Sequence, residues 1–134
     1  MNEHTYEISL RIRHPSMDAE TICREIGIKA YRKWSAGDMR STPTGRKLDG
    51  VYEETHCTFR LDHEGFGDIS TFLSNQTSTV KSKKQFFKKV IASGGNIEYF
   101  IGWDLHGNTG DTFSHELLRE LADLGISLSF DLYP

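Results

Sequence analysis

The chain has 134 residues, of which 37% are hydrophobic and 26% are charged, and its formal net charge is −3. This length is typical of one domain and allows roughly two-thirds of the unfolded chain's surface to be buried, so we expect a single domain over residues 1–134. A small negative charge provides no general attraction to phosphate backbones or anionic lipids, so neither nucleic acid nor a membrane is an expected partner.

The N-terminal sequence "MNEHTYEISL" has no basic segment followed by an apolar run. Nowhere does the chain reach the ~18 consecutive apolar residues that a membrane span requires, so we expect a cytoplasmic protein. Cys23 and Cys57 lack CxxC spacing and fall in a predicted helix and a predicted strand. Free buried thiols are therefore expected rather than a disulfide or a metal site.

The first strand is predicted at residues 6–13, where apolar and polar side chains alternate strictly and so occupy opposite faces. The next segment, "SMDAETICREIG", predicts a helix with Ser16 as its N-cap and Gly27 as its left-handed terminator. A short second strand is predicted at residues 28–34, and a third at 55–61.

The connection "WSAGDMRSTPTGRKLDG", residues 34–50, is rich in turn-forming and charged residues and has almost nothing apolar after Trp34. It predicts an Ω-like connection or a wide hairpin loop. Loops longer than ~12 residues are more often functional or disordered than not. This stretch is therefore a candidate recognition segment.

Two helical segments are predicted next, at residues 68–75 and 81–92, with a weak joint at 76–79 between them. The longest alternating run of apolar residues then predicts a strand at 97–105, and a similar run predicts the last strand at 126–132.

The segment "FSHELLRELADLG" predicts a helix between these last two strands, with Ser114 as N-cap and Gly125 as its end. Phe113 is positioned to pack onto Leu118 as a hydrophobic staple. The predicted apolar stripe consists of Leu117, Leu118, Leu121 and Leu124.

The order of these elements gives two strand-helix-strand units joined by a middle strand and the central helices. Right-handed crossovers place the helices together on one face of the sheet. We therefore predict an α+β fold, a two-layer sandwich with a mixed or antiparallel five-stranded sheet that is ferredoxin-like in broad manner. The opposite face is expected to be more exposed and to carry Glu7, Arg11, His56, Arg60, Glu98 and Asp104.

Four segments carry a resemblance to a known family: "EIGI" after the first helix, "WSAGD", "KKVIASGG" in the central helices, and the terminal "LADLGISLSFDLY". Together with the order of elements, they resemble the bacterial domain of unknown function 4279 family over nearly the whole chain. The resemblance implies a compact α+β domain. It implies no activity and supplies no catalytic residues.

A small cluster of metal-ligand residue types is geometrically possible, because Asp104 and His106 are two residues apart on a strand and His115 opens the next helix. No HExxH, HxH or CxxC spacing is present, however. We predict no metal ion and no cofactor. The "HGNTGDT" tract before the last helix is explained by turn chemistry, since it matches no phosphate-loop spacing.

Five lysines between residues 81 and 89 form a basic helix face, which typically is solvated but also suits an acidic protein partner. Cys57 lies on an inward strand face, where burial keeps a thiol protonated. No GxSxG elbow or pair of adjacent carboxylates on one strand face is present. An enzyme is therefore less expected than a non-catalytic protein.

Aromatic and arginine side chains supply much of the binding energy at recognition surfaces. The predicted ligand- or partner-binding residues are Trp34, Arg40, Arg46, Tyr52, Trp103, Asp104 and His106.

Our leading hypothesis is a binding or interaction module that recognises a protein, for example an antidote that blocks a toxin, or that forms a homodimer through an exposed sheet edge. The alternative is a small-molecule or metal-binding domain, with an enzymatic role included in this alternative, and with a pocket near residues 34–50 and 103–115.

Overall fold

The computed structural model describes residues 5–62, 67–105, 107 and 109–134. A long strand, a helix and a short strand come first, followed by a small hairpin and a second long strand. Two consecutive helices, a strand, a helix and a final strand complete the chain. The elements are β1 (Thr5–His14), α1 (Ala19–Ile26), β2 (Arg32–Trp34), β3 (Met39–Ser41), β4 (Lys47–Val51), β5 (Thr55–Leu61), α2 (Ile69–Val80), α3 (Lys84–Ala92), β6 (Asn96–Asp104), α4 (His115–Leu124) and β7 (Ile126–Tyr133).

The main sheet has five strands in the order β2-β5-β1-β6-β7, and β3 pairs only with β4 in a separate two-stranded ribbon. The β6–β7 pair is parallel, and the other pairs of the main sheet are antiparallel. Without β7, the order β6-β1-β5-β2 is that of a β-α-β-β-α-β ferredoxin-like unit. The predicted α+β class with a mixed five-stranded sheet is therefore confirmed.

The core lies between the helices and one face of this sheet. Side chains at alternate positions of β1, including Ile8 and Leu10, are fully buried together with Phe59 of β5 and Tyr99 of β6. Helix residues such as Leu121 belong to the same cluster. Because the helices cover only this face, the other face of the sheet stays open to solvent. No helix among the described residues is long and apolar enough to cross a bilayer.

Helix α1 begins later than predicted, because its N-cap is Asp18 and not Ser16. The Asp18 carboxylate accepts a hydrogen bond from the backbone N–H of Glu20 at 3.1 Å. The N–H groups of Ser16 and Met17 instead donate to the His14 ring at 2.9 and 2.7 Å, which holds these residues in a turn. The predicted end is confirmed, since Gly27 has a positive φ of 83°.

The predicted joint at residues 76–79 is wrong, since α2 continues to Val80 and the interruption is a 3₁₀ turn at Lys81–Lys83. Thr77 is completely buried, and its hydroxyl lies 3.4 Å from that of Tyr99. Tertiary burial thus extends the helix through a segment that has weak helix propensity.

Ser114 and Gly125 bound α4 as predicted, with the Ser114 hydroxyl accepting from the backbone N–H of Leu117 at 3.1 Å. Leu118 was expected in the apolar stripe, but it is 44% exposed. The buried stripe is therefore narrower than predicted and consists of Leu117, Leu121 and Leu124.

The connection 34–50 is folded rather than irregular, because β3 and β4 form a hairpin within it. Gly45 takes the positive φ of 95° at its turn, and its N–H donates to the Thr42 carbonyl at 2.8 Å. The second strand of the main sheet is correspondingly short and covers only the end of the predicted 28–34.

Candidate functional site

The face of the sheet opposite the helices, here called the open face, carries the candidate site. Its floor is formed by the polar positions of β1, β5 and β6. The hollow in its middle has a volume of about 270 Å3. The side chains used below to describe it are Ser9, Arg11, Tyr31, Arg60, Phe100 and Tyr133.

The hollow exists because small residues lie beside large ones. Ser9 is paired with Phe100 across β1 and β6, and Gly102 follows two positions further along the same face. Neither Ser9 nor Gly102 fills the space between the rings of Phe100 and Tyr133. The alternation of side chains along the strands therefore produces a concave surface.

Arg11 borders the hollow with its guanidinium over an aromatic ring. The guanidinium carbon lies 3.6 Å from the centre of the Phe100 ring, which is a cation–π contact. Its Nη1 lies 3.8 Å from a carboxylate oxygen of Glu98. Its Nε is buried and has no hydrogen-bond partner among the described residues.

Arg60 borders the hollow from β5 in a similar arrangement. Its guanidinium carbon lies 3.7 Å from the centre of the Tyr31 ring. Tyr31 is 60% exposed, so this stacked pair stands on the surface. No carboxylate among the described residues forms an ion pair with Arg60.

Glu98 is the buried carboxylate that organises the neighbouring cations. One of its oxygens accepts from Arg13 at 3.1 Å, and the other accepts from the Ser129 hydroxyl at 2.7 Å. A single carboxylate therefore compensates Arg11 and Arg13, while Arg32 and Arg60 add further positive charge on this part of the face.

His56 lies beside these cations, and their charges affect its pKa. Burial, together with the charges of Arg11, Arg13 and Arg32, lowers the pKa of His56 to about 4. The ring is therefore neutral at pH 7. Its Nε2 lies 2.6 Å from the Thr58 hydroxyl.

The opposite end of the open face is acidic. Glu7 and Asp104 line the hollow, and Asp131 accepts a hydrogen bond from the Tyr133 hydroxyl at 2.8 Å. That hydrogen bond and the Asp131 charge raise the pKa of Tyr133. The open face thus has an arginine-rich end and a carboxylate-rich end.

Two of the predicted site residues, Trp34 and Tyr52, meet at the edge of the sheet. Their rings stack with centroids 4.2 Å apart, and the Trp34 ring also lies 4.8 Å from that of His56. The Tyr52 hydroxyl donates to the Ser41 carbonyl at 3.1 Å. This stack therefore joins the β3–β4 hairpin to the main sheet.

Arg40 and Arg46 lie within that hairpin and away from the hollow. Arg40 donates through Nη1 to the Asp49 carbonyl at 3.2 Å, and the backbone N–H of Arg46 donates to the Thr42 hydroxyl at 3.0 Å. Both side chains are exposed.

Trp103 and Asp104 are neighbours on β6 and therefore point to opposite faces. Trp103 is only 8% exposed and packs on the helix side, with its ring 6.4 Å from that of Phe130. Asp104 lines the hollow. His106 lies outside the described residues, and the exposed His115 stands at the start of α4.

The structure thus places the described residues of the predicted set in three locations. Trp103 is buried on the helix side, and Asp104 lines the hollow. The others lie in or beside the β3–β4 hairpin, namely Trp34, Arg40, Arg46 and Tyr52. No described residue that lines the hollow comes from 34–50. The site residues that sequence reasoning missed are Tyr31, Phe100 and Tyr133, with Arg11 and Arg60 expected only to be exposed. Phe100 offered a signal, since it is an aromatic residue at a polar position of the β6 alternation.

Among the described residues, no three His, Cys, Asp or Glu side chains are grouped as metal ligands. Burial and the neighbouring Cys23 raise the pKa of Cys57 to about 12, so this thiol is protonated and unreactive at neutral pH.

The family model described as "Domain of unknown function (DUF4279)" matches residues 4–134. No curated protein and no solved structure matches the chain significantly.

Proposed function

The chain belongs to the DUF4279 family of domains of unknown function, and we propose that it is a non-catalytic binding module whose open face recognises an acidic segment of a protein partner. In this proposal, a carboxylate of the partner enters the hollow between Arg11 and Arg60. A toxin with an acidic surface is one such partner.

The observation that carries this proposal is that two guanidinium groups, those of Arg11 and Arg60, border one hollow while each lies over an aromatic ring. Arg60 forms no ion pair with a described residue, and the Arg11 side chain, which is 31% exposed, has only a long contact of 3.8 Å with Glu98. A carboxylate in the hollow can therefore accept hydrogen bonds from the exposed N–H groups of both arginines. Hydrogen bonds between guanidinium and carboxylate groups are stronger than neutral ones, so the gain favours an acidic occupant.

Stacking prepares both arginines for this role. Phe100 and Tyr31 hold the two guanidinium planes against their rings, which reduces the side-chain freedom that binding would otherwise remove. Aromatic and arginine residues are also the commonest energetic centres of protein interfaces.

The dimensions favour a partner's side chain over a whole small molecule. Small-molecule pockets usually enclose ~300–1,000 Å3, whereas this hollow has about 270 Å3 and opens onto the sheet surface. The lysine-rich segment is a weaker candidate for the same partner, because Lys81 and Lys84 already pair with Glu120 and Asp123 at 3.0 and 2.7 Å.

A labelled glutamate-rich peptide of about ten residues, titrated at moderate salt and followed by fluorescence anisotropy, tests the proposal. Arg60→Gln should weaken binding by about fivefold or more, as expected for loss of a charge-assisted contact. The matched control is Arg40→Gln, which removes an exposed arginine from the hairpin and should leave binding unchanged.

Equal losses in the two variants would mean non-specific attraction to positive charge and would contradict the proposal. Lys88→Gln serves as a second control, since it reports binding to the lysine-rich segment. Saturable binding of free glutarate that is lost in Arg60→Gln, without peptide binding, would replace the protein partner by a small dicarboxylate.

A further inference from the structure

Strand β7 presents a free edge within the described part of the chain, because it is the last strand of the main sheet and its pairing partner there is β6. The Tyr133 carbonyl accepts from the Leu105 N–H at 2.8 Å, and Tyr133 is paired with Asp104. Backbone groups alternate in direction along a strand. Those of Ser129 and Asp131 therefore point toward β6, while those of residues 128, 130 and 132 point away from the sheet.

This edge lacks the features that usually prevent edge-to-edge pairing. Asp131 is the only charged residue of Ile126–Tyr133, and the strand contains no lysine, proline or glycine. Phe130 and Leu132 are 41% and 54% exposed on its helix-side face. A long, apolar edge of this kind is a template for pairing with another strand.

The aromatic neighbourhood of Phe130 extends the apolar surface beyond the backbone edge. The Phe113 ring lies 5.8 Å from the Phe130 ring and is itself only partly buried. The other edge strand, β2, has only three residues. The β7 edge is therefore the longer of the two sheet edges.

We propose that β7 pairs antiparallel with β7 of a second copy of this chain to form a symmetric dimer. A two-fold axis requires the same patch on both copies, and β7 is self-complementary. Pairing centred on Ser129 or on Phe130 keeps Asp131 away from Asp131 of the second copy. Pairing centred on Asp131 is disfavoured, because it places like charges directly opposite each other.

The hydrogen bonds come from backbone groups that point away from β6. The outward N–H and C=O groups of residues 128, 130 and 132 in the two copies form up to about six backbone hydrogen bonds with each other. Leucine and phenylalanine side chains then pack across the axis on the helix side. A contact made by one strand pair and its flanking side chains belongs with the small interfaces, below about 1,200 Å2, that weak complexes use. We therefore expect dimerisation at micromolar rather than nanomolar concentration.

The geometry of the dimer has a consequence for the open face. Two antiparallel edge strands continue one sheet around an axis perpendicular to it, so the open faces of both copies lie on the same side. A partner with two acidic segments then binds both copies at once. The dimer itself is independent of what the open face binds.

Sedimentation equilibrium between about 5 and 500 µM tests the dimer. The unaltered chain should change from monomer to dimer over this range. Leu132→Lys should remain monomeric, because it places a charge among the apolar side chains that pack across the axis on the helix side. The control is Val51→Lys, which alters a residue that is 53% exposed in the hairpin and should still dimerise.

A cross-linking experiment keeps the test valid if Leu132→Lys disturbs folding. In a Cys23→Ser background, Ser129→Cys or Phe130→Cys should give a disulfide-linked dimer under mild oxidation, since directly opposed residues lie about 4.5–5.5 Å apart. Ser41→Cys in the hairpin should not. A chain that stays monomeric at the highest concentration, or that cross-links at neither strand position, overturns the proposal.

Discussion

The guanidinium carbon of Arg11 lies 3.6 Å above the centre of the Phe100 ring, on the face of the sheet that no helix covers. The two side chains belong to adjacent strands and are offset by two residue pairs on the same face, since Arg11 is opposite Glu98 and Phe100 is opposite Ser9. The ring restricts the orientation of the guanidinium, and a carboxylate oxygen of Glu98 lies 3.8 Å from Arg11 Nη1. Arg11 is thus held in place before any partner arrives.

Phe100→Leu should distinguish the effect of the Arg11–Phe100 stack on peptide binding from its effect on the free energy of unfolding. A cation–π contact at a partly exposed site is worth about 0.5–1 kcal/mol, so the free energy of unfolding should fall only slightly in urea titrations. Affinity for the glutamate-rich peptide should fall about threefold to tenfold, because Arg11 is no longer oriented. Unchanged peptide affinity would argue against a role for the stack in binding.

Stability should decrease in mild acid because of His56. Its pKa is about 4 in the fold and about 6.5 in the unfolded chain, so the unfolded state binds the proton more readily. The stability contributed by the neutral ring is fully present above pH 6.5 and is lost as the pH falls toward 4. Because the ring is partly exposed, we expect a loss of about 1–2 kcal/mol.

Urea unfolding at pH 7.5 and pH 4.5 measures this effect, and His56→Gln should reduce the difference between the two. His115→Gln is the matched control, because His115 is exposed at the start of α4. An equal pH dependence in the two variants would show that other groups, His14 among them, account for the acid sensitivity.

The start of α1 can be tested by a pair of alanine substitutions. Asp18→Ala removes the carboxylate that accepts from the Glu20 N–H and should cost about 0.5–2 kcal/mol. Ser16→Ala should cost little, since the Ser16 backbone bonds to the His14 ring whatever its side chain. Chemical denaturation measures the free energy of unfolding of both variants. A larger loss for Ser16→Ala than for Asp18→Ala would identify Ser16 as the N-cap instead.

Strand prediction succeeded where one face of the strand is buried. The apolar alternation in β1, β5, β6 and β7 placed each within about two residues of its observed bounds. Prediction failed at residues 76–79, because the helix there depends on the burial of Thr77 against Tyr99. Leu118 was wrongly expected to be buried for a related reason. An apolar stripe shows which residues of a helix are apolar, but not how wide a part of that stripe the rest of the fold covers.

The candidate site was harder to predict than the fold. Trp34 and Tyr52 were expected to anchor the two ends of the 34–50 connection, and their rings stack with centroids 4.2 Å apart. The hollow was not predicted, because its residues come from three strands and become neighbours only through the pairing register. Trp103 was predicted from its residue type alone, and its strand position places it on the helix side.

The order of apolar and polar residues by itself determined the strands, the helix ends at Gly27 and Gly125, and which side chains share a strand face. These properties depend on local geometry, since side chains alternate along a strand and glycine adopts positive φ at low cost. Only the tertiary structure decided that Arg11 and Arg60 flank one hollow and that β7 lies at a free edge. Those relations arise from register and strand order, which depend on contacts between residues far apart in the chain.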